Sequence, residues 1–303
     1  MTGCRQNKDH NTRSHGSKIN VITTIFPPYD FVRQITRDRE SGGARVNLAM
    51  LLPPGAESHS YEPSPKDIIA IQNSDVFIYV GGKTDNWVSR ILQSMSADKK
   101  TLALMDTVNA VREETVEGME EDHDDTGVVY DEHIWTSPKN AVLIVRAIAG
   151  LLCEADPANA DFYKKNADDY IHSLSQLDSS FAEVVAGAKR KTIVFADRFP
   201  FRYFTDAYGL EYYAAFPGCA AETEPSAATV AFLIDKIRTE KIPVVFYIEL
   251  SNERMADIIC AETGVKKLLF NSCHNISKKD FDSGDDYLEI MRRNVRALYA
   301  ALH

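Results

Sequence analysis

The chain has 303 residues, 44% of them apolar, and a formal net charge of −10 at pH 7. That length suits one large or two medium domains with real cores. The charge argues against nucleic acid, since phosphate binding wants a basic face. No run approaches the ~18 consecutive apolar residues of a membrane span.

Met1-Thr-Gly-Cys4 is followed by a polar, aperiodic run from Arg5 to Lys18. A small residue before a cysteine and then a hydrophilic leash resembles the cleavage box of a bacterial lipoprotein whose apolar signal is gone. Residues 1–18 are therefore expected to form a disordered tether, with Cys4 carrying lipid.

From there strands and helices alternate, and the strands are continuous apolar runs, as in sheets covered on both faces. Strands are expected near Asn20–Ile25, Val46–Leu51, Val76–Val80 and Thr101–Leu104. Helices are expected near Asp30–Thr36, Lys66–Asn73 (with Ser64 as N-cap and Pro65 in the first turn) and Trp87–Met95. Residues 113–125 are acidic, nearly devoid of large apolar groups, and expected to be solvated. After His133, a helix starts at Ser137-Pro and runs to about Cys153. A second pattern begins at Asp156-Pro-Ala and runs to about Ala186 with no Gly or Pro after Pro157, and nearly thirty helical residues would span roughly 40–45 Å. It reads as a rigid strut.

The second lobe repeats the plan. Its strands fall near Thr192–Ala196, Tyr212–Phe216, Val244–Ile248 and Lys267–Phe270; its helices fall near Arg202–Tyr208, Ala227–Glu240, Glu253–Thr263 and Asp286–Leu302. The expectation is an α/β fold of two mainly parallel βα lobes joined by one long rigid helix. The divisions are 1–18 tether, 19–155 first lobe, 156–187 linking helix and 188–303 second lobe.

Parallel α/β sheets bind ligands beyond the carboxyl ends of their strands. Of eight histidines, His59, His133 and His274 stand at such edges, with His123 in the acidic loop and His172 on the strut. His59 sits in Leu52-Pro-Pro-Gly-Ala-Glu-Ser-His-Ser-Tyr-Glu-Pro63, whose prolines stiffen the loop as a preorganised site requires. Three imidazoles converging from both lobes would hold Zn²⁺, with a carboxylate or water as fourth ligand. Nitrogen donors suit zinc better than manganese, which prefers oxygen. The ligands must be neutral, so affinity should fall as pH drops through the histidine range.

Glu132 is a candidate to orient His133. Asp197 and Arg198 follow the first strand of the second lobe, Glu222 and Glu224 follow the second, and Glu249 closes the third. Cys219 and Cys273 lie in loops just beyond strands, and an exported protein is free to join them as a disulfide. There is no P-loop, no G-x-S-x-G and no H-E-x-x-H.

Val21-Ile-Thr-Thr-Ile-Phe-Pro-Pro-Tyr-Asp30, the His59 loop, Asp131-Glu-His-Ile-Trp135 and Glu224-Pro-Ser226 together resemble the metal-binding, cluster A-I solute-binding proteins of ABC transporters. The resemblance covers the chain from Ile19 to Leu302. It implies an interlobe metal site with His59 and His133 as first-lobe ligands. It also implies an extracytoplasmic, lipid-anchored monomer that captures Zn²⁺ and delivers it to a membrane permease. The chain departs from the family in Asp197-Arg-Phe-Pro-Phe-Arg-Tyr-Phe204, which puts Arg198 where a ligand His belongs. Arg stays protonated and cannot ligate. His274 is therefore expected to supply the second lobe's main ligand, with Glu222, Glu224 and Glu249 as further candidates and Arg198 paired to one of those acids. A manganese receptor, a zinc-dependent hydrolase and an adhesin are the alternatives; the resemblance favours a receptor over an enzyme.

Overall fold

The computed structural model describes residues 18–58, 60–95, 99–119, 129–220 and 225–303. Its first sheet contains β1 (Asn20–Thr23), β2 (Asn47–Met50), β3 (Val76–Tyr79) and β4 (Lys100–Ala103), in the order β2-β1-β3-β4. All three pairings are parallel. The crossovers are α1 (Phe26–Thr36), α2 (Pro65–Asn73) and α3 (Asn86–Gln93).

Local chemistry explains these bounds. Helix α1 begins at Phe26, earlier than its periodicity suggests, because Pro27 and Pro28 fall in the first turn. There their missing N–H groups would have no helical acceptor anyway. In α2, Ser64 accepts from the Asp67 N–H and the Asp67 carboxylate accepts from the Ser64 N–H. This reciprocal cap fixes the exit of the loop that carries position 59.

Helix α4 (Pro138–Ala155) leads through a single turn at Pro157–Asn159 into α5 (Ala160–Ala186), 27 residues long. At 1.5 Å per residue, α5 spans about 40 Å. The second sheet then repeats the topology of the first. β5 (Thr192–Phe199), β6 (Glu211–Pro217), β7 (Val244–Tyr247) and β8 (Lys266–Leu269) lie in the order β6-β5-β7-β8, all parallel. Around them lie α6 (Arg202–Tyr208), α7 (Ala227–Glu240), α8 (Arg254–Thr263), α9 (Lys278–Asp282) and α10 (Tyr287–Leu302). The turn of α9, capped by Ser277 on the Asp280 N–H, has no counterpart in the sequence reading.

β5 runs further than its apolar run indicates. After a register shift between Phe195 and Arg198, pairing resumes at Arg198 with Phe216 and Phe199 with Pro217. Asp197 and Arg198 therefore lie within the strand, not in a loop beyond it.

The inner faces of both sheets share one apolar core built on α5. Tyr163, Tyr170, Leu174, Leu177 and Phe181 of α5 pack with Val21 and Ile78 of the first sheet and Phe195 and Phe246 of the second. The outer faces have their own layers, Ile71, Val88 and Ile91 over Ile22 and Phe77 in one lobe. In the other, Leu233, Ile237 and Ile259 cover Val194 and Val245. Burying both faces is what makes these strands apolar throughout.

Helix α10 pins the lobes a second time. The Asp30 carboxylate of α1 accepts from the Tyr287 N–H (2.9 Å), and the Tyr287 hydroxyl donates to the Trp135 carbonyl (2.6 Å). The Tyr287 ring also meets Phe31 edge-on, centroids 5.0 Å apart. Among the described residues no helix is long and apolar enough to cross a membrane.

Candidate metal centre

The two sheets present their carboxyl edges to one cleft. His133 enters it from the segment after the first sheet and His274 from the segment after β8. Their ring centroids are 5.0 Å apart at an interplanar angle of 80°. Both are buried, at 0% and 7% exposure. Trp135 forms the wall behind them, with centroid separations of 5.6 Å to His133 and 5.1 Å to His274. Its indole N–H donates to the Ser272 carbonyl at 2.8 Å, tying the His133 segment to the His274 one.

His133 is oriented by Asp131. One carboxylate oxygen lies 2.8 Å from the His133 N–H and 3.0 Å from its Nδ1. The Tyr203 hydroxyl of α6 donates to the Asp131 carbonyl at 2.7 Å and fixes this segment in turn. Burial works against protonating the imidazole, but Asp131, with Glu132 and Glu113, outweighs it and raises the His133 pKa. Above the ring, Gly218 leaves no room for a side chain. A Cβ there would stand 3.0 Å from the Phe199 carbonyl and 3.2 Å from the imidazole.

Glu132, the acid expected to orient His133, points elsewhere. It accepts from the Thr84 hydroxyl at 2.7 Å and presses against Gly82, where a Cβ would meet its carboxylate at 2.1 Å. Asp131 holds the orienting role instead. Its place two residues before the histidine lets one carboxylate reach both the backbone and the ring, as in an Asx turn.

Glu249 lines the cleft but is committed to the backbone beneath His274. It accepts from the Ser272 hydroxyl (2.5 Å), the Ser272 N–H (2.7 Å) and the His274 N–H (3.0 Å). Burial nevertheless raises its pKa. Among the described residues Arg198 pairs with Glu57, at 3.2 Å, rather than with Glu249; the other acids expected for it, Glu222 and Glu224, lie outside the described residues. The pairing follows from β5, whose extension aims the guanidinium across the cleft at the first-lobe loop. That loop is also clasped by the residue after His274. The Asn275 side-chain amide donates to the carbonyls of Pro53 (2.9 Å) and Ala56 (2.8 Å), and the Gly55 N–H donates to the Ile276 carbonyl (2.8 Å).

Cys219 and Cys273 are free thiols, contrary to the expected disulfide. The Cys219 N–H is held by Glu113 at 2.9 Å, and its thiol lies 3.5 Å from Glu132. Cys273 is turned into the central core, with φ of 60° and its N–H on the Asn271 side chain. Burial raises both thiols well above their usual range, so neither forms the thiolate that oxidation uses.

His59, Glu222, Glu224 and Cys4 lie outside the described residues, as does His123. Among the described residues no group of three or more His, Cys, Asp or Glu is placed to hold a metal. What the described residues bring together is the His133–His274 pair. Around it is a cavity of about 30 Å³ lined by Glu57, Ser58, His133, Arg198, Glu249 and His274 among others.

The chain resembles known proteins in sequence and fold. The chain is 32% identical over 292 residues to the zinc-binding lipoprotein AdcA of Streptococcus pneumoniae. The match covers 95% of this chain and 56% of that protein, so the chain spans about half the length of that relative. It is also 32% identical over 297 residues to the high-affinity zinc uptake system protein ZnuA of Bacillus subtilis, covering 95% and 89% of the two chains. Among solved structures, the Zn(II)-bound ZnuA-like domain of Streptococcus pneumoniae AdcA superposes with a TM-score of 0.78 at 29% identity. That match covers 94% of this chain and 99% of the other. The profile described as zinc-uptake complex component A, periplasmic, matches residues 21–301, and the chain belongs to that family.

Proposed function

We propose that this chain is an extracytoplasmic zinc receptor that binds Zn²⁺ through His59, His133 and His274 and hands it to the permease of an ABC transporter. The observation that carries the reading is the separation of the two buried imidazoles. A zinc ion sits about 2.1 Å from each ligating nitrogen and about 3.2 Å from each ring centre, so two imidazoles at a tetrahedral angle have centres roughly 5.2 Å apart. The observed separation is 5.0 Å. With its Nδ1–H donated to Asp131, the His133 lone pair is on Nε2, the nitrogen assigned to the metal. His59 would close the set from the loop clasped by Asn275, and a water or carboxylate would be the fourth ligand.

In this reading Zn²⁺ is cargo and no bond is made or broken. Capture is reversible coordination, and the family's role as a solute-binding component of transport supports it. Cys4 would carry a lipid anchor, keeping a monomer at the outer face of the membrane. Zinc is favoured over manganese because the donors are nitrogens.

Competition titration of metal-free protein tests this directly. Wild type is expected to bind one Zn²⁺ far more tightly than Mn²⁺, and His59→Ala, His133→Ala and His274→Ala are each expected to lose at least tenfold in zinc affinity. Tighter Mn²⁺ binding would overturn the metal assignment, and unaffected affinity in any variant would remove that residue from the ligand set.

A further inference from the structure

Arg198 shares the imidazole cavity with His133 and His274. It bridges two segments that shape the site. Its Nη2 donates to Glu57, on the loop that leads to position 59, at 3.2 Å, and its Nη1 donates to the Ala220 carbonyl at 3.4 Å. Ala220 follows closely on Gly218, whose lack of a side chain makes room for the His133 ring. A guanidinium carries five N–H donors and cannot shed its proton. A permanent positive charge therefore stands in the wall of a cavity built to take a cation.

The ion pair with Glu57 does not cancel that charge. The Arg198 side chain is 11% exposed, whereas that of Glu57 is 43% exposed. Water screens the carboxylate far more than it screens the buried guanidinium, which leaves a net positive field on the cavity side.

The other donors do not offset it either. Imidazoles are neutral when they ligate. Glu249, the other described carboxylate of this cavity, is engaged by the Ser272 hydroxyl and N–H and by the His274 N–H. Among the described residues the wall thus offers neutral nitrogen beside a guanidinium. That combination opposes a bare dication but favours a dication that carries an anion, because nitrogen serves the metal while N–H groups serve the anion. Size limits the companion. The cavity holds about 30 Å³, and at ~10–15 Å³ of such space per water it takes about two water-sized occupants. These are the metal and one ion of halide size; phosphate does not fit.

We infer that Arg198 makes this a site for Zn²⁺ together with a small monovalent anion of halide size, the anion bridging the metal and the guanidinium at the fourth coordination position. The inference rests on the zinc-receptor reading above and names the second half of its cargo. Each ion then raises the affinity for the other by the same factor, since linkage is reciprocal.

Zinc titrations of metal-free protein against a competing chelator, in sodium perchlorate and in sodium chloride of equal ionic strength, test the pairing. Wild type is expected to bind Zn²⁺ about tenfold more tightly in chloride. Arg198→Gln is expected to show no such difference between the salts, and Arg198→Lys, which keeps the charge without the planar fork, to retain part of it. Zinc-edge X-ray absorption in sodium bromide adds an independent readout: a bromine neighbour should stand in the first shell of wild type and be missing from that of Arg198→Gln. Should Arg198→Gln fail to fold, the salt dependence and the bromine shell of wild type decide the matter alone. Zinc affinity of wild type indifferent to the salt, an equal dependence in Arg198→Gln, or a wild-type shell without bromine would overturn the paired-ion site and leave the receptor reading intact. A wild type that binds no zinc in either salt would refute the receptor reading, and this inference with it.

Discussion

Single side chains do much of the organising near the cleft, and Asp131 is the clearest case. Because its carboxylate holds both the His133 N–H and Nδ1, Asp131→Asn should scramble the ring's tautomer and orientation without touching a ligand. Zinc affinity is expected to fall 10–100-fold, the usual effect of removing such a partner, while the melting temperature moves little; equal affinity in a competition titration would contradict the role. Asp85 offers a test by pH. Buried after β3, it accepts from the N–H groups of Val80 (2.6 Å) and Gly81 (3.2 Å). Burial is the main reason its carboxyl is pushed up to about 6, with Glu132 adding to it. Between the ordinary value of 3.8 and about 6, the folded chain holds a proton that the unfolded chain has released. Stability from this group therefore falls as pH rises through that window, by about 3 kcal/mol for a shift of about two units. Asp85→Asn should flatten that segment of the stability–pH curve; an unchanged slope in denaturant titrations at pH 4 and pH 6.5 would refute the assignment. Asp131 and Asp85 were both visible as letters, yet neither role was legible. Which of two adjacent acids faces a histidine depends on a turn, and a burial-shifted carboxyl depends on what packs above it.

Elements were far more readable. Apolar runs located all eight strands among the described residues, because strands covered on both faces must be apolar throughout. Helices α6 and α7 fall where their patterns place them, at Arg202–Tyr208 and Ala227–Glu240. The long strut was legible from the unbroken run between Pro157 and Gly187, although its first turn at Pro157–Asn159 is tighter than an α-helix. The failures share a cause in tertiary pairing. β5 continues past Ala196 because β6 receives it after a register shift, which apolar patterning cannot show, and this moved Arg198 from a loop into a strand facing Glu57. The expected disulfide failed similarly. Position beyond a strand end says nothing of direction, and Cys273 turns into the core while Cys219 is held against Glu113 and Glu132.

At the scale of the molecule, two sheets of identical strand order are fixed twice over, by α5 and by α10. Their inner faces belong to one continuous apolar core, so a large hinge motion would have to break packing that has no second arrangement. Metal-free and zinc-loaded protein should therefore give superimposable solution-scattering profiles and crystal structures differing only in loops around the cleft. A lobe rotation of tens of degrees between the two would contradict this account.

The clasp of Asn275 and Ile276 on Pro53, Gly55 and Ala56 has a mechanical corollary. Asn275 is bonded covalently to His274 and by hydrogen bonds to the stretch that leads to position 59, so a tug on this one short segment disturbs both sides of the proposed coordination shell together. Unloading would then be abrupt, with little stable half-released state, and a docking protein would need leverage on only a few atoms at the rim.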